Sequence, residues 1–283
     1  MKPRLRFLMK RAGVIVLAGA LLSAAIAAAG PDRSRIQDDH FHSVALSGTL
    51  HFEVYLPADY ATSVRRYPVI YFLHGLPSGA TAYQGVGFVE QALDRAGRSA
   101  ILVAPQGARW NELDPEYVDH GPGDRWETAI ASELPVIVDS LYRTIPTRAA
   151  RAIVGVSAGG FGAMHIGFAH LASFSVIQSW SGYFHPTDPS GTKAIDLGPD
   201  NDVHRQLLAT RAQLLRLHTT VAFYIGDSDS RFAAENRQLN LELSRAGIPH
   251  VFRVYPGGHE QQLWERYATA WLSLALAHLA PAH

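Results

Sequence analysis

Ser157 stands in the run Gly155-Val156-Ser157-Ala158-Gly159-Gly160, directly after the apolar segment Ala152-Ile153-Val154 and directly before a helix-like stretch, Phe161 to Leu171. A serine held at a tight strand-to-helix turn crowds the positions two before and two after it. Small residues are therefore a steric requirement, which Gly155 and Gly159 meet in this nucleophile elbow. The hydroxyl is a weak nucleophile until a histidine takes its proton, and that histidine needs a carboxylate to fix its tautomer and stabilise the imidazolium. In this topology the partners follow in the order serine, acid, histidine, each at a strand end. Gly226-Asp227-Ser228-Asp229 follows the apolar run Val221 to Ile225, and Gly257-Gly258-His259 follows Val251 to Tyr255. Together they would make and break an acyl ester on Ser157.

Of the 14 histidines, His259 is the one on a glycine-flexible turn between a late strand and the terminal helix, so it is the expected general base. Asp227 and Asp229 differ by two positions and a strand-end loop can present either. Asp229 is favoured as the acid, leaving Asp227 as a turn-forming residue. The amide of Ala158 lies at a helix N-terminus, where unsatisfied N–H groups and the helix dipole favour an oxyanion. A second donor is expected after the early strand in Val69-Ile70-Tyr71-Phe72-Leu73-His74-Gly75-Leu76, with the Leu76 amide as candidate. His74, before Gly75, suits a loop-bracing role rather than catalysis. His40, His42, His51, His204, His218, His250, His278 and His283 read as surface residues, and His120 as a solvated loop histidine, with contact to a substrate as its alternative reading. There is no His-Glu-x-x-His and no carboxylate cluster paired with histidines, so neither a metal nor a cofactor is expected.

These residues need strand ends to hold them. Short apolar runs recur at Val69 to Leu73, Ala100 to Ala104, Ala152 to Val154, Phe174 to Ser179, Val221 to Ile225 and Val251 to Tyr255, with helical stretches between them. That alternation predicts a mostly parallel sheet covered on both faces. Phe41 to Leu46 and Leu50 to Leu56 read as an antiparallel edge hairpin after a polar linker around Pro31 to Asp39. Trp126 to Tyr142, Phe161 to Leu171, Arg231 to Ala246 and Gln261 to Leu279 are the best helix candidates. In the last, Leu263, Trp264, Tyr267, Trp271, Leu274 and Ala275 recur near a 3.6-residue period and read as core. The irregular stretches Gly107 to Arg125 and Phe184 to Asp202 follow strand ends, where open α/β sheets bind ligands, and are candidate substrate loops.

The chain has 283 residues and a formal net charge of +0, with no basic run past the amino terminus, so nucleic acid is not an expected partner. Lys2, Arg4, Arg6, Lys10 and Arg11 precede an uncharged apolar run from Ala12 to Ala29 that ends in three alanines. Residues 1–30 thus read as an export signal or, if uncleaved, a membrane anchor, the only expected link to a membrane. Residues 31–283 read as one domain, secreted or otherwise extracytoplasmic. With no cysteine in the chain, an exported domain must rely on its core alone, and a cysteine nucleophile is excluded.

The chain resembles the esterase D-like family of α/β-hydrolases, which includes esterase D (S-formylglutathione hydrolase), feruloyl and enterochelin esterases and secreted actinobacterial mycolyltransferases. The resemblance runs through Val54-Tyr55-Leu56-Pro57, Tyr67-Pro68 with Val69 to Gly75, Ala104-Pro105-Gln106-Gly107, Trp126-Glu127-Thr128 with Glu133-Leu134, Gly155 to Gly162, Ser179-Trp180-Ser181-Gly182 and Tyr255-Pro256-Gly257-Gly258-His259. It implies the α/β-hydrolase fold, a mostly parallel central sheet with an antiparallel N-terminal edge and helices on both faces. It also implies ester hydrolysis through Ser157, His259 and Asp229, the acid falling three residues after a strand-end glycine, and an oxyanion hole from the amides of Leu76 and Ala158. Ala158 replaces the methionine common after the serine, and the aspartate acid makes the chain less like the mycolyltransferases. Acyl transfer to a sugar or lipid alcohol would use the same residues, and a non-catalytic binding module on the same scaffold is the third expectation.

Overall fold

The computed structural model describes residues 35–110, 112, 116–188 and 193–283. The segment 1–30, with its expected signal or anchor, lies outside the described residues, and among those described no helix is long and apolar enough to cross a membrane. An eight-stranded sheet in the order β1-β2-β4-β3-β7-β8-β9-β10 forms the centre. Its strands are β1 (Ile36–Ser43), β2 (Gly48–Tyr55), β3 (Val69–Leu73), β4 (Ile101–Pro105), β7 (Arg151–Val156), β8 (Val176–Trp180), β9 (Thr220–Gly226) and β10 (His250–Tyr255). β2 runs antiparallel to both β1 and β4, and the pairs from β4 to β10 are parallel.

The expected sheet and hairpin are present, with one shift. The polar segment Ile36 to Asp39, read from sequence as linker, is the first half of β1 and pairs with Phe52 to Tyr55. An edge strand with one wet face needs few apolar residues, so its pattern resembles a linker.

Parallel strands buried on both faces are apolar throughout, and β3 shows why. Val69, Tyr71 and Leu73 point into one core while Ile70 and Phe72 point into the other, as the two-residue period of a strand requires. The first core is covered by α4 (Ala158–Ala169), α5 (Val203–Arg216), α6 (Ala233–Arg245) and the helical segment α2 (Trp126–Thr128) to α3 (Leu134–Leu141). The second is covered by α1 (Gly87–Arg95) and α7 (Gln261–Ala277). Between α2 and α3 the helix widens into a π turn at Ala129–Glu133. There Glu133 accepts hydrogen bonds from Ser43 Oγ (2.5 Å) and Ala45 N (3.0 Å), tying the helix to the end of β1.

α1 and α5 are additions to the helices expected from sequence. α5 carries a readable start, since Asp202 caps it by accepting from Arg205 N at 3.1 Å. The stretch Gly107 to Arg125, expected to be irregular, contains a two-stranded hairpin of β5 (Asp119–Gly121) and β6 (Asp124–Arg125).

Candidate active site

The backbone between β7 and α4 is bent to a conformation that only a forced residue adopts. Ser157 has φ 55° and ψ −120°, an uncommon region for a residue with a side chain. It is held there by its N–H donating to Trp180 O (2.9 Å) and by Gly160 N donating to Ser157 O (2.8 Å). The flanking glycines are obligatory for packing. A Cβ on Gly155 would lie 2.0 Å from Gly159 O, and one on Gly159 would lie 2.0 Å from Leu73 O. The turn thus presses α4 against the end of β3 and lifts the serine hydroxyl above the sheet.

Ser157 Oγ lies 2.8 Å from His259 Nε2, and His259 Nδ1 lies 2.7 Å from Asp229 Oδ2. Asp229 is almost fully buried. Burial alone would raise its pKa, but the hydrogen bond and charge of His259 and the amides of Phe232 and Arg231 hold it below the ordinary carboxylate value. An ionised Asp229 can only accept, so Nδ1 of His259 donates and Nε2 is left as the acceptor for the serine proton. The second oxygen of Asp229 accepts from Arg231 N (3.2 Å) and Phe232 N (3.3 Å), which fixes the carboxylate plane. The rings of Phe232 and Trp264 stand edge-on to the imidazole at 5.3 and 5.2 Å between centroids.

Asp227 takes the other position. It is exposed, and its Oδ1 accepts from Ser228 Oγ (2.8 Å) and Gly257 N (3.2 Å), pinning the acid loop to the histidine loop. Gly226 allows that contact, because a Cβ there would sit 2.3 Å from Gly257 O.

Across from the histidine, Gly75 approaches so closely that a Cβ would be 3.0 Å from that of Ser157. Nδ1 of His74 donates to Gly75 O at 2.9 Å. The Gly75–Leu76 peptide is trans, so fixing its carbonyl on one side aims the Leu76 N–H to the other. Ala158 opens α4, and its N–H has no carbonyl one turn back to bond. His74 is 5% exposed; burial lowers its pKa and keeps it neutral. Its backbone oxygen accepts from Tyr117 Oη (2.8 Å), so the hairpin-bearing stretch braces the same loop.

Beside Ser157 opens a cleft of about 210 Å³, walled by Phe72, Leu76, Val86, Phe88, Val156 and Trp264. Trp264, read from sequence as core, packs half-buried against the second core and also stands between this cleft and His259. The 3.6-residue period gave no warning, because the cleft continues the face that packs on the sheet. His204, read as a surface residue, lies between Glu242 (2.5 Å) and Glu235 (3.4 Å). Sequence reasoning also passed over Glu127, which joins His165 and His170 at 2.8 Å each beneath α4. The i, i+5 spacing of those two histidines carries no signal without the helix that faces them. His120 is exposed on β5.

The family model described as "Putative esterase" matches residues 43–270. The chain belongs to this family. Esterase Rv1288 of Mycobacterium tuberculosis is 28% identical over 253 residues, covering 77% of this chain and 54% of that protein. The chain thus spans about half the length of the curated relatives it matches first. Among solved structures, a ferulic acid esterase superposes with a TM-score of 0.74 at 25% identity, over 85% of this chain and 97% of the other. MPT51 (FbpC1) of Mycobacterium tuberculosis superposes at 0.67 with 18% identity, over 87% and 99%, a likeness of fold. This esterase-family chain has the α/β-hydrolase fold.

Proposed function

We propose that the protein is an exported serine esterase that hydrolyses carboxylic esters through an acyl-enzyme on Ser157. The observation that carries this is the unbroken line Ser157 Oγ, His259 Nε2 and Nδ1, Asp229 Oδ2, with separations of 2.8 and 2.7 Å. As Oγ attacks the ester carbonyl, its proton passes to Nε2, and buried Asp229 stabilises the imidazolium. The amides of Leu76 and Ala158 receive the oxyanion. Collapse expels the alcohol, which takes the proton back from His259, and water repeats the sequence to free the acid. The apolar cleft beside Leu76 and Val156 suits the acyl group of a small-molecule ester. Export is supported by the basic and apolar segment Lys2 to Ala29.

The test is p-nitrophenol release by the full chain from esters of increasing acyl length, with Ser157→Ala in parallel and a polyol acceptor added in a second series. Acceptor-independent turnover that vanishes in Ser157→Ala is expected. Equal turnover in the variant would remove the serine mechanism, and acylated polyol would reassign the chain to acyl transfer.

A further inference from the structure

The formal neutrality of the chain conceals a separation of charge between the two ends of the sheet. Six segments lead into the parallel strands at the end opposite Ser157: 63–68, 95–100, 142–151, 170–175, 216–219 and 245–250. They contain nine arginines, Arg65, Arg66, Arg95, Arg98, Arg143, Arg148, Arg151, Arg216 and Arg245, and no aspartate or glutamate. The segments that leave the strands on the Ser157 side, 74–86, 106–125, 181–202, 227–232 and 256–260, hold eleven acidic and four basic residues among those described.

Local pairing neutralises little of the arginine end. Asp59 pairs with Arg65 at 3.0 Å, Asp139 with Arg151, and Asp94 with Arg35, which joins the same end through Leu56 O. Arg66, Arg98 and Arg148 bond carbonyl oxygens, at Thr144, Leu276 and Leu171, which hold them in place without cancelling their charge. Arg95, Arg98, Arg216 and Arg245 are exposed. From β4 to β10 the array crosses six neighbouring strands, about 24 Å at ordinary strand spacing. On the segment that enters β3, Val64 is 93% exposed beside Arg65 and Arg66. The 34 residues that precede Arg35, including the apolar run Ala12 to Ala29, join the fold at this same end.

We infer that this arginine-lined base is a docking surface for an anionic lipid bilayer, laid against it with the Ser157 mouth turned away. The occupant follows from the charge, from the exposed valine and from the point where an apolar chain segment enters. A basic face is attracted to anionic headgroups by roughly a fivefold gain in partitioning per arginine near the surface, while the acidic mouth is repelled by the same field.

The experiment is sedimentation of the full chain with phosphatidylglycerol–phosphatidylcholine vesicles and with phosphatidylcholine vesicles, so that the amino-terminal segment is common to every arm. Wild type should partition more strongly to the anionic vesicles, and added salt should erase the margin. The triple variant Arg98→Glu, Arg216→Glu, Arg245→Glu should lower partitioning to anionic vesicles by at least about 100-fold, the loss expected from removing three positive charges alone, whereas the triple lysine variant should keep it. A native melting curve and unchanged ester turnover exclude misfolding of either variant. A margin that survives charge reversal, no margin in wild type, or capture by soluble heparin without vesicle binding would overturn the inference.

Discussion

Nδ1 of His74 donates to the carbonyl oxygen of Gly75 at 2.9 Å, clamping the peptide plane whose other end is the Leu76 N–H. The clamp makes His74 a positioning residue for the Leu76 amide, one of the two oxyanion donors proposed above. Removing one such donor typically costs about 100- to 1,000-fold in kcat, and loosening it should cost less. His74→Ala is expected to lower kcat by roughly 10- to 100-fold with KM nearly unchanged. Steady-state kinetics on a p-nitrophenyl ester measure both; a change confined to KM would place His74 in substrate binding instead.

Asp229 and Asp227 lie two residues apart and do different work. Asp229 is buried against His259, while Asp227 faces solvent and ties Ser228 to Gly257. Asp229→Asn presents His259 with the wrong tautomer and should lower kcat by roughly 10,000-fold. Asp227→Asn keeps an acceptor oxygen toward Gly257 and should stay within about threefold of wild type on this argument. The reverse ranking would move the acid of the proposed triad to Asp227.

The contrast between these two aspartates also marks how far the sequence could be read. The elbow at Ser157 and the strand-end loops at Asp229 and His259 are written in short-range pattern: a glycine where backbone meets backbone, an apolar strand before, a helix after. Placing Leu76 needed more, because its orientation depends on His74, and His74 is braced by Tyr117, which is 43 residues away. Trp264 illustrates a different limit, since periodicity reports which face of α7 is apolar and not whether that face covers sheet or cleft. The start of β1 and the nine-residue α1 were obscured for simpler reasons, an edge strand being polar and a short helix showing too few turns for a period.

Gly155 and Gly159 should tolerate no side chain, for a reason independent of chemistry. The atoms a Cβ would strike are backbone carbonyls, at 2.0 Å in both cases, and these cannot rotate aside. Gly155→Ala and Gly159→Ala are each expected to destabilise by about 3 kcal/mol or more, at the upper end of overpacking costs. Gly258→Ala, in the turn that carries His259, meets nothing within 4 Å and should melt like wild type. Urea midpoints for the three variants decide the matter, and equal midpoints would mean that the elbow can relax.

The cluster that joins α5 to α6 sets a pH dependence of stability on the alkaline side. Burial would lower the pKa of His204, but its hydrogen bonds to Glu235 and Glu242 and their charges raise it from 6.5 to about 9. A raised pKa means that the folded state holds the proton more tightly than the unfolded chain. The stabilisation is therefore complete below about pH 6.5 and is lost as pH climbs through about 9. Its upper limit is roughly 3 kcal/mol. Glu235 works in the opposite direction: burial would raise its pKa, but His185 and His204 hold it below 4.5. Its contribution is present above that value and disappears as pH falls through the lowered one. Tm should then be highest between about pH 4.5 and 6.5 as far as this cluster is concerned, and fall by about 2–4 °C for each kcal/mol lost above it. His204→Gln, which keeps hydrogen bonding but cannot carry charge, should flatten the alkaline limb in differential scanning calorimetry. A variant whose Tm declines with pH as steeply as wild type would show that the alkaline loss arises elsewhere in the molecule.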